Sequence, residues 1–229
     1  MHRTQGICFR ALVAFIVGLP ITAAARSHHR HHEPAEPSAA RAGVFDYYLL
    51  SLSWSPEHCA TRPGGPNDLQ CGTTRHYSFV VHGLWPQNDD GGYPDTCSTD
   101  RTLSQGPIDS TLDIMPSRDL IRHEWSKHGT CSGLAADAYF ALVRQAFRGV
   151  TVPDRYRRPD AAFLVTADDV RAEFRAANPS WPNGSIAVLC TGHFLSEVRV
   201  CLGKDLSPRA CGAKVHDVCN GRVTARPVR

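Results

Sequence analysis

The stretch HEWSKHGTC, residues 123 to 131, places two imidazoles, a carboxylate and an ammonium within a few positions of one another. It comes within one residue of the H-E-x-x-H zinc motif, in which two histidines four apart on a helix face one metal and the Glu acts as base. Here the second histidine arrives one residue late. At 3.6 residues per turn, His123 and His128 stand about 140° apart around a helix axis and cannot share a zinc as that motif requires. Glu124 and His128 are four apart and share a face, as do His123 and Lys127. The insertion therefore dismantles a metal geometry and leaves an imidazole beside a carboxylate, with cations at the flank. A carboxylate in that position stabilises an imidazolium and orients its ring for acid–base work. Lys127 is a compact charge suited to a phosphate.

One histidine is half of an acid–base pair. A second stands in VVHGLWPQ, residues 80 to 87, where His82 is followed by Trp85, a flat face for a base or sugar. Strand ends and the loops that leave them are common places for reactive groups.

Positioning these groups falls to the elements that carry them. VFDYYLLSLSW, residues 44 to 54, is dense in aromatic and aliphatic side chains between Gly43 and Pro56 and reads as a buried strand. HYSFVVHGLWP, 76 to 86, reads as a second strand that ends where Gly83 and Pro86 break it. NDDGGYPDTCSTD is loop. Residues 117 to 129 read as a helix, capped by Ser117 and followed by Gly129. Tyr139, Leu142, Val143, Ala146 and Phe147 form the apolar stripe of another helix, closed by Gly149. Thr166 caps a third, which Asn178-Pro179 stops. SIAVLC and SEVRVCL are short strands. Strands and helices mix without a βαβ rhythm or a Gly-rich phosphate loop. The expected class is α+β: a central, mainly antiparallel sheet with several helices packed around it, stabilised by disulfides.

The N-terminus follows the order of a secretory signal. MHRTQGICFR is basic, ALVAFIVGLP apolar, and ITAAA ends in a small-residue cleavage site, so residues 1–25 read as a signal peptide. The apolar part is short for a membrane span, and retention as an uncleaved anchor is the alternative. Residues 26–43, rich in His, Pro and Ala, read as a flexible lead-in. Its His28, His29, His31 and His32 are read as solvated rather than as metal ligands. A folded domain then spans 44–223, and 224–229 is a flexible tail. Loss of Arg3 and Arg10 with the signal takes Lys+Arg from 25 to 23 against 22 acids, so the net charge falls from +3 to +1. No basic run of the kind that grips nucleic acid non-specifically exists. Cys8 leaves with the signal too. The remaining cysteines, Cys59, Cys71, Cys97, Cys131, Cys190, Cys201, Cys211 and Cys219, are even in number and contain no CxxC pair. That points to disulfides in an exported chain, secreted or periplasmic. Spacing alone leaves roughly a hundred pairings open.

HGLWPQ and HEWSKHGTC, in this order and about forty residues apart, resemble the two signature segments of the ribonuclease T2 family. FDYYLLSLSWSPEHC resembles its first strand and following cysteine, and CTGHFLSEVRVCL its C-terminal strand pair. The likeness spans Phe45 to Cys219. It implies catalytic roles for His82, Glu124 and His128, phosphate contacts from His123 and Lys127, and a substrate contact from Trp85. It further implies the pairs Cys59–Cys71, Cys97–Cys131, Cys190–Cys219 and Cys201–Cys211.

The implied activity is an endoribonuclease acting as a monomer on single-stranded RNA, with no metal, no cofactor and no membrane attachment once the signal is gone. RNA brings its own nucleophile, the 2′-OH, so the protein must supply a base, an acid and donors for charge on the phosphorane. The first step is read with His128 as base and His82 as acid, an order these residues do not fix; a 2′,3′-cyclic phosphate is then opened to a 3′-phosphate. Two other classes compete: a catalytically silent RNA-binding or inhibitory protein on the same scaffold, and a metal-dependent hydrolase recruiting the His-rich lead-in. The intact His82, Glu124 and His128 argue against the first, and the helical angle argues against the second. His58, His76, His193 and His216 are read as surface or structural. Asn183-Gly184-Ser185 fits a glycosylation sequon or a turn.

Overall fold

The structure is a computed structural model, and residues 41–62, 64–65, 68–72 and 76–228 are described here. The signal peptide and residues 26–40 of the lead-in, its histidines included, lie outside the described residues.

In chain order the elements are β1 (Tyr47–Trp54), α1 (Ser55–Thr61), β2 (Phe79–Gln87), α2 (Gln105–Thr111) and α3 (Arg118–Lys127). A 3₁₀ turn (Gly129–Cys131) follows, then α4 (Ala136–Arg148), α5 (Asp154–Arg157), β3 (Phe163–Val165) and α6 (Ala167–Ala177). β4 (Ile186–Thr191), β5 (Phe194–Leu202) and β6 (Val223–Ala225) complete the domain. The strands form one sheet in the order β2-β1-β5-β6-β3, with β4 also paired to β5. Pairing is antiparallel except for a single parallel contact of β5 with β6. The class is α+β with a mainly antiparallel sheet, as expected.

Alternation along β1 sets the two faces. Tyr48, Leu50, Leu52 and Trp54 point into the main core, beside Val198, Val200 and Leu202 of β5 and Tyr139, Phe140 and Val143 of α4. Tyr47 and Leu49 point the other way and pack with Cys201 and Trp85. On that second face β1 continues as Ser51 and Ser53, side chains too small to fill it. The helix ends follow the sequence: Ser117 Oγ accepts from Leu120 N, and Thr166 with Asp169 forms a reciprocal capping box.

Two expectations need correction, and one residue has a further role. β2 does not end at Gly83 or Pro86 but runs to Gln87. It is the outermost strand of the sheet, where the missing N–H of proline breaks no ladder bond. Pro56 does more than stop β1, because it lies in the first turn of α1, a position that needs no N–H donor. Residues 224–228 do not form a flexible tail. Val223 and Ala225 are buried in β6, Thr224 N donates to His193 O at 2.8 Å, and Arg226 engages the buried Glu57 and lies over the Phe194 ring.

Four disulfides join Cys59–Cys71, Cys97–Cys131, Cys190–Cys219 and Cys201–Cys211. Those are the pairs implied by the resemblance. Among the described residues no helix is long and apolar enough to cross a membrane.

Candidate active site

The register of β1 against β2 breaks at one point. Ser51 pairs with Gly83 and Leu52 with Val81, so His82 between them has no partner. It is the extra residue of a β-bulge, a device that re-aims a side chain at a sheet edge. Val81 and Leu84 both stay on the core face, while His82 joins Trp85 on the other, their rings 5.2 Å apart and nearly perpendicular.

Helix α3 delivers the second group. Glu124 is 1% exposed, and its Oε2 accepts the indole N–H of Trp85 at 2.7 Å. Gly83 makes that bond possible, since a Cβ there would collide with both Glu124 Oε2 and Trp85 Nε1. His128 is not within the regular helix but caps it, its N–H donating to Glu124 O at 3.0 Å before the chain tightens into the 3₁₀ turn. Its ring packs on Trp85 at 5.4 Å. One indole thus carries the sheet histidine and the helix histidine against it, and the helix carboxylate on its nitrogen.

The flanking residues differ in placement. His123 is exposed and lines the same groove as His82, a cavity of about 910 Å³ whose walls also include His58, Gln70, Pro116 and Glu197. Lys127 lies on the His128 side, 3.9 Å from Asp95 and 5.8 Å from the centre of the Tyr93 ring. The Cys97–Cys131 bridge ties the loop bearing Tyr93 and Asp95 to the end of α3, assisted by Thr96 N donating to Lys127 O at 2.8 Å. Trp85 has its N–H committed to Glu124, which leaves that donor unavailable to a ligand. Among the described residues, no three His, Cys, Asp or Glu side chains cluster as a metal site.

Three residues escaped the sequence reading. Glu197 of β5 lies 3.2 Å from His82 Nδ1. Arg199 holds the other Glu197 oxygen at 2.5 Å and sits over the Trp85 ring. Tyr93 is exposed, with its ring 5.9 Å from that of His128. The alternation of SEVRV puts Glu197 and Arg199 on one strand face, but nothing local tells which face looks onto His82.

Electrostatics separate the two imidazoles. Burial, then the Lys127 charge, pushes His128 down to about 4. Its Nδ1 is buried and has no hydrogen-bond partner among the described residues, so Nε2 is the nitrogen left to meet a substrate. Burial also acts against a charged His82. There, however, the bond and charge of Glu197, with the charge of Glu124, outweigh it and raise the ring above its ordinary value. Glu197 is held down at about 2, because His82 and Arg199 outweigh its burial. Burial pushes Glu124 the other way, to about 7, despite His82, the indole N–H and Lys127. An imidazole whose protonation is disfavoured, one whose protonation is favoured and a carboxyl balanced near neutrality therefore surround one tryptophan, an arrangement suited to moving protons in opposite directions.

Residues 45–211 match the model of the Ribonuclease T2 family. The chain belongs to that family, and with it to the endoribonucleases. It is 38% identical over 175 residues to a ribonuclease of Aeromonas hydrophila, covering 75% of this chain and 78% of that protein. Among solved structures it resembles the RNase-related protein from Calystegia sepium, with a TM-score of 0.62 at 23% identity over 80% of this chain and 98% of that one. It also resembles trichomaglin, described as a novel S-like ribonuclease, with a TM-score of 0.64 at 20% identity over 80% and 98%. At such identities the structural likeness is one of fold. The T2 fold here is the sheet whose edge bulge presents His82 and whose edge strand β2 meets α3.

Proposed function

We propose that this T2 ribonuclease is exported, to the periplasm or the medium, and cleaves single-stranded RNA by acid–base transphosphorylation without a metal. The observation that carries the reading is the pair of imidazoles on Trp85, one buried beside Lys127 and the other bonded to the Glu197 carboxylate.

His128, neutral above about pH 4, takes the proton of the ribose 2′-OH. The 2′ oxygen attacks the adjacent phosphorus, and His82 gives its proton to the departing 5′ oxygen. The product is a 2′,3′-cyclic phosphate. Water then opens it with the two rings in exchanged roles, leaving a 3′-phosphate. Lys127 and His123 face the non-bridging oxygens as they gain charge. Glu124 spends one oxygen on the Trp85 N–H. With its carboxyl half protonated near pH 7, its other oxygen donates to the phosphorane where an anion would repel it. Tyr93 offers an aromatic face to a base beside His128.

The test is incubation of the mature protein with RNA and with a 2′-deoxy analogue, each with and without EDTA, and identification of the products. The expected result is chelator-resistant cleavage of RNA alone, with a transient cyclic phosphate preceding the 3′-phosphate. Cleavage of the deoxy analogue, or 5′-phosphate products, would overturn the mechanism.

A further inference from the structure

β1 lies between β2 and β5, so Glu197 reaches His82 across an entire strand. Neighbouring strands are about 4.8 Å apart, so two strands' width separates these backbones. Two features let the side chains meet. The residues of β1 beneath them are Ser51 and Ser53, paired with Arg199 and Glu197 respectively, and both side chains are short enough to leave room for the contact. The bulge turns His82 inward from the other side. Glu197 is itself fixed: it is 9% exposed, and Arg199 grips its second oxygen while lying over Trp85.

We propose that Glu197 is a positioning residue for RNA cleavage, fixing the His82 ring through Nδ1 and holding it in the protonated state in which it serves as acid. This rests on the reading of His82 as the general acid. The chemistry is that of a carboxylate behind a histidine: it selects which nitrogen faces the substrate and stabilises the imidazolium. Glu197 touches no reacting atom. The other charged or titratable groups around His82 are Arg199 from β5, Glu124, His123 and His128 from α3 and its cap, and His58 from α1. The cations among them oppose its protonation. Of the two carboxylates, only Glu197 bonds the ring, because Glu124 is turned to Trp85.

Glu197→Gln keeps the shape and an acceptor for Nδ1–H but removes the charge. In this variant the His82 pKa, followed by NMR titration with His82→Ala to assign the signal, is expected to fall by a unit or more. The alkaline limb of kcat/KM moves down with it, and kcat at pH 7 drops at least tenfold with KM little changed. A second substrate separates positioning from structure: a uridine 3′-phosphate ester of 4-nitrophenol, whose leaving group departs without a proton. Glu197→Gln is expected to cleave that ester within about threefold of wild type. An unchanged His82 titration, or an equal loss on both substrates, would overturn the role of Glu197. If His82→Ala is not rescued by the activated ester while Glu197→Gln still lowers the His82 pKa, the acid assignment of His82 fails. Glu197 then remains the residue that sets its charge.

Discussion

The Trp85 indole N–H donates to Glu124 Oε2 at 2.7 Å, so the aromatic ring between the two histidines is anchored by the helix carboxylate rather than left to substrate. That single bond couples the sheet edge to α3. It places His82 and His128 in one frame, since both pack on the same ring.

If those two rings carry the protons, His82→Ala and His128→Ala should each lower kcat/KM by about 10²–10⁴-fold on RNA. The far-ultraviolet circular dichroism and the disulfides should be unaffected. Retention of more than a tenth of the wild-type rate by either variant would remove that histidine from the mechanism.

The pH profile follows from the two directions. His128 is available as base above about pH 4, so kcat/KM should rise through that value. His82 is available as acid below a pKa raised above 6.5, so the fall should begin only beyond that point. The result is a broad, mildly acidic maximum. Lys127→Met removes a cation that disfavours His128 protonation, so His128 should titrate higher and the acidic limb should move to higher pH. A rate that keeps rising through pH 9 would contradict the scheme.

Trp85→Phe keeps a ring between the histidines but leaves the buried Glu124 oxygen without its donor. The expected loss is about 1–3 kcal/mol of stability, read from urea unfolding, together with a fall in kcat/KM. Gly83→Ala should be worse in both measures, because the added methyl collides with both partners of the bond. A Gly83→Ala enzyme of normal activity would show that this bond is dispensable.

Removing the Cys97–Cys131 bridge, by Cys97→Ala with Cys131→Ala, opens a loop between cysteines 34 positions apart. The chain-entropy model gives a loss of about 3–4 kcal/mol, or a drop in Tm on the order of 10 °C. Activity should fall below the unfolding temperature as well, since the bridge holds the Tyr93–Asp95 loop beside Lys127. Calorimetry and turnover measured on one preparation test both halves.

How much of this was legible in the chain depends on how far each signal reaches. Ser117, Thr166 and Gly149 mark helix ends because a cap bonds within three or four residues, and α4 shows its stripe because helical faces repeat locally. HGLWPQ and HEWSKHGTC announced six candidate residues for the same reason, each being a continuous segment. The short α1, α2, α5, β3 and β6 passed unnoticed. Elements of three to seven residues are too brief to display a period, and β6 exists only because β3 and β5 await it.

By itself the sequence determined the chemical inventory: two histidines, a carboxylate and a lysine in recognisable segments, on strand and helix, in a chain with paired cysteines. Only the tertiary structure decided what each group does. Glu197 lies 115 residues from His82 in the chain, and strand register alone brings them together. The same imidazole is harder to protonate at one end of the site and easier at the other because protonation follows burial and neighbouring charge, which exist only once distant segments are packed.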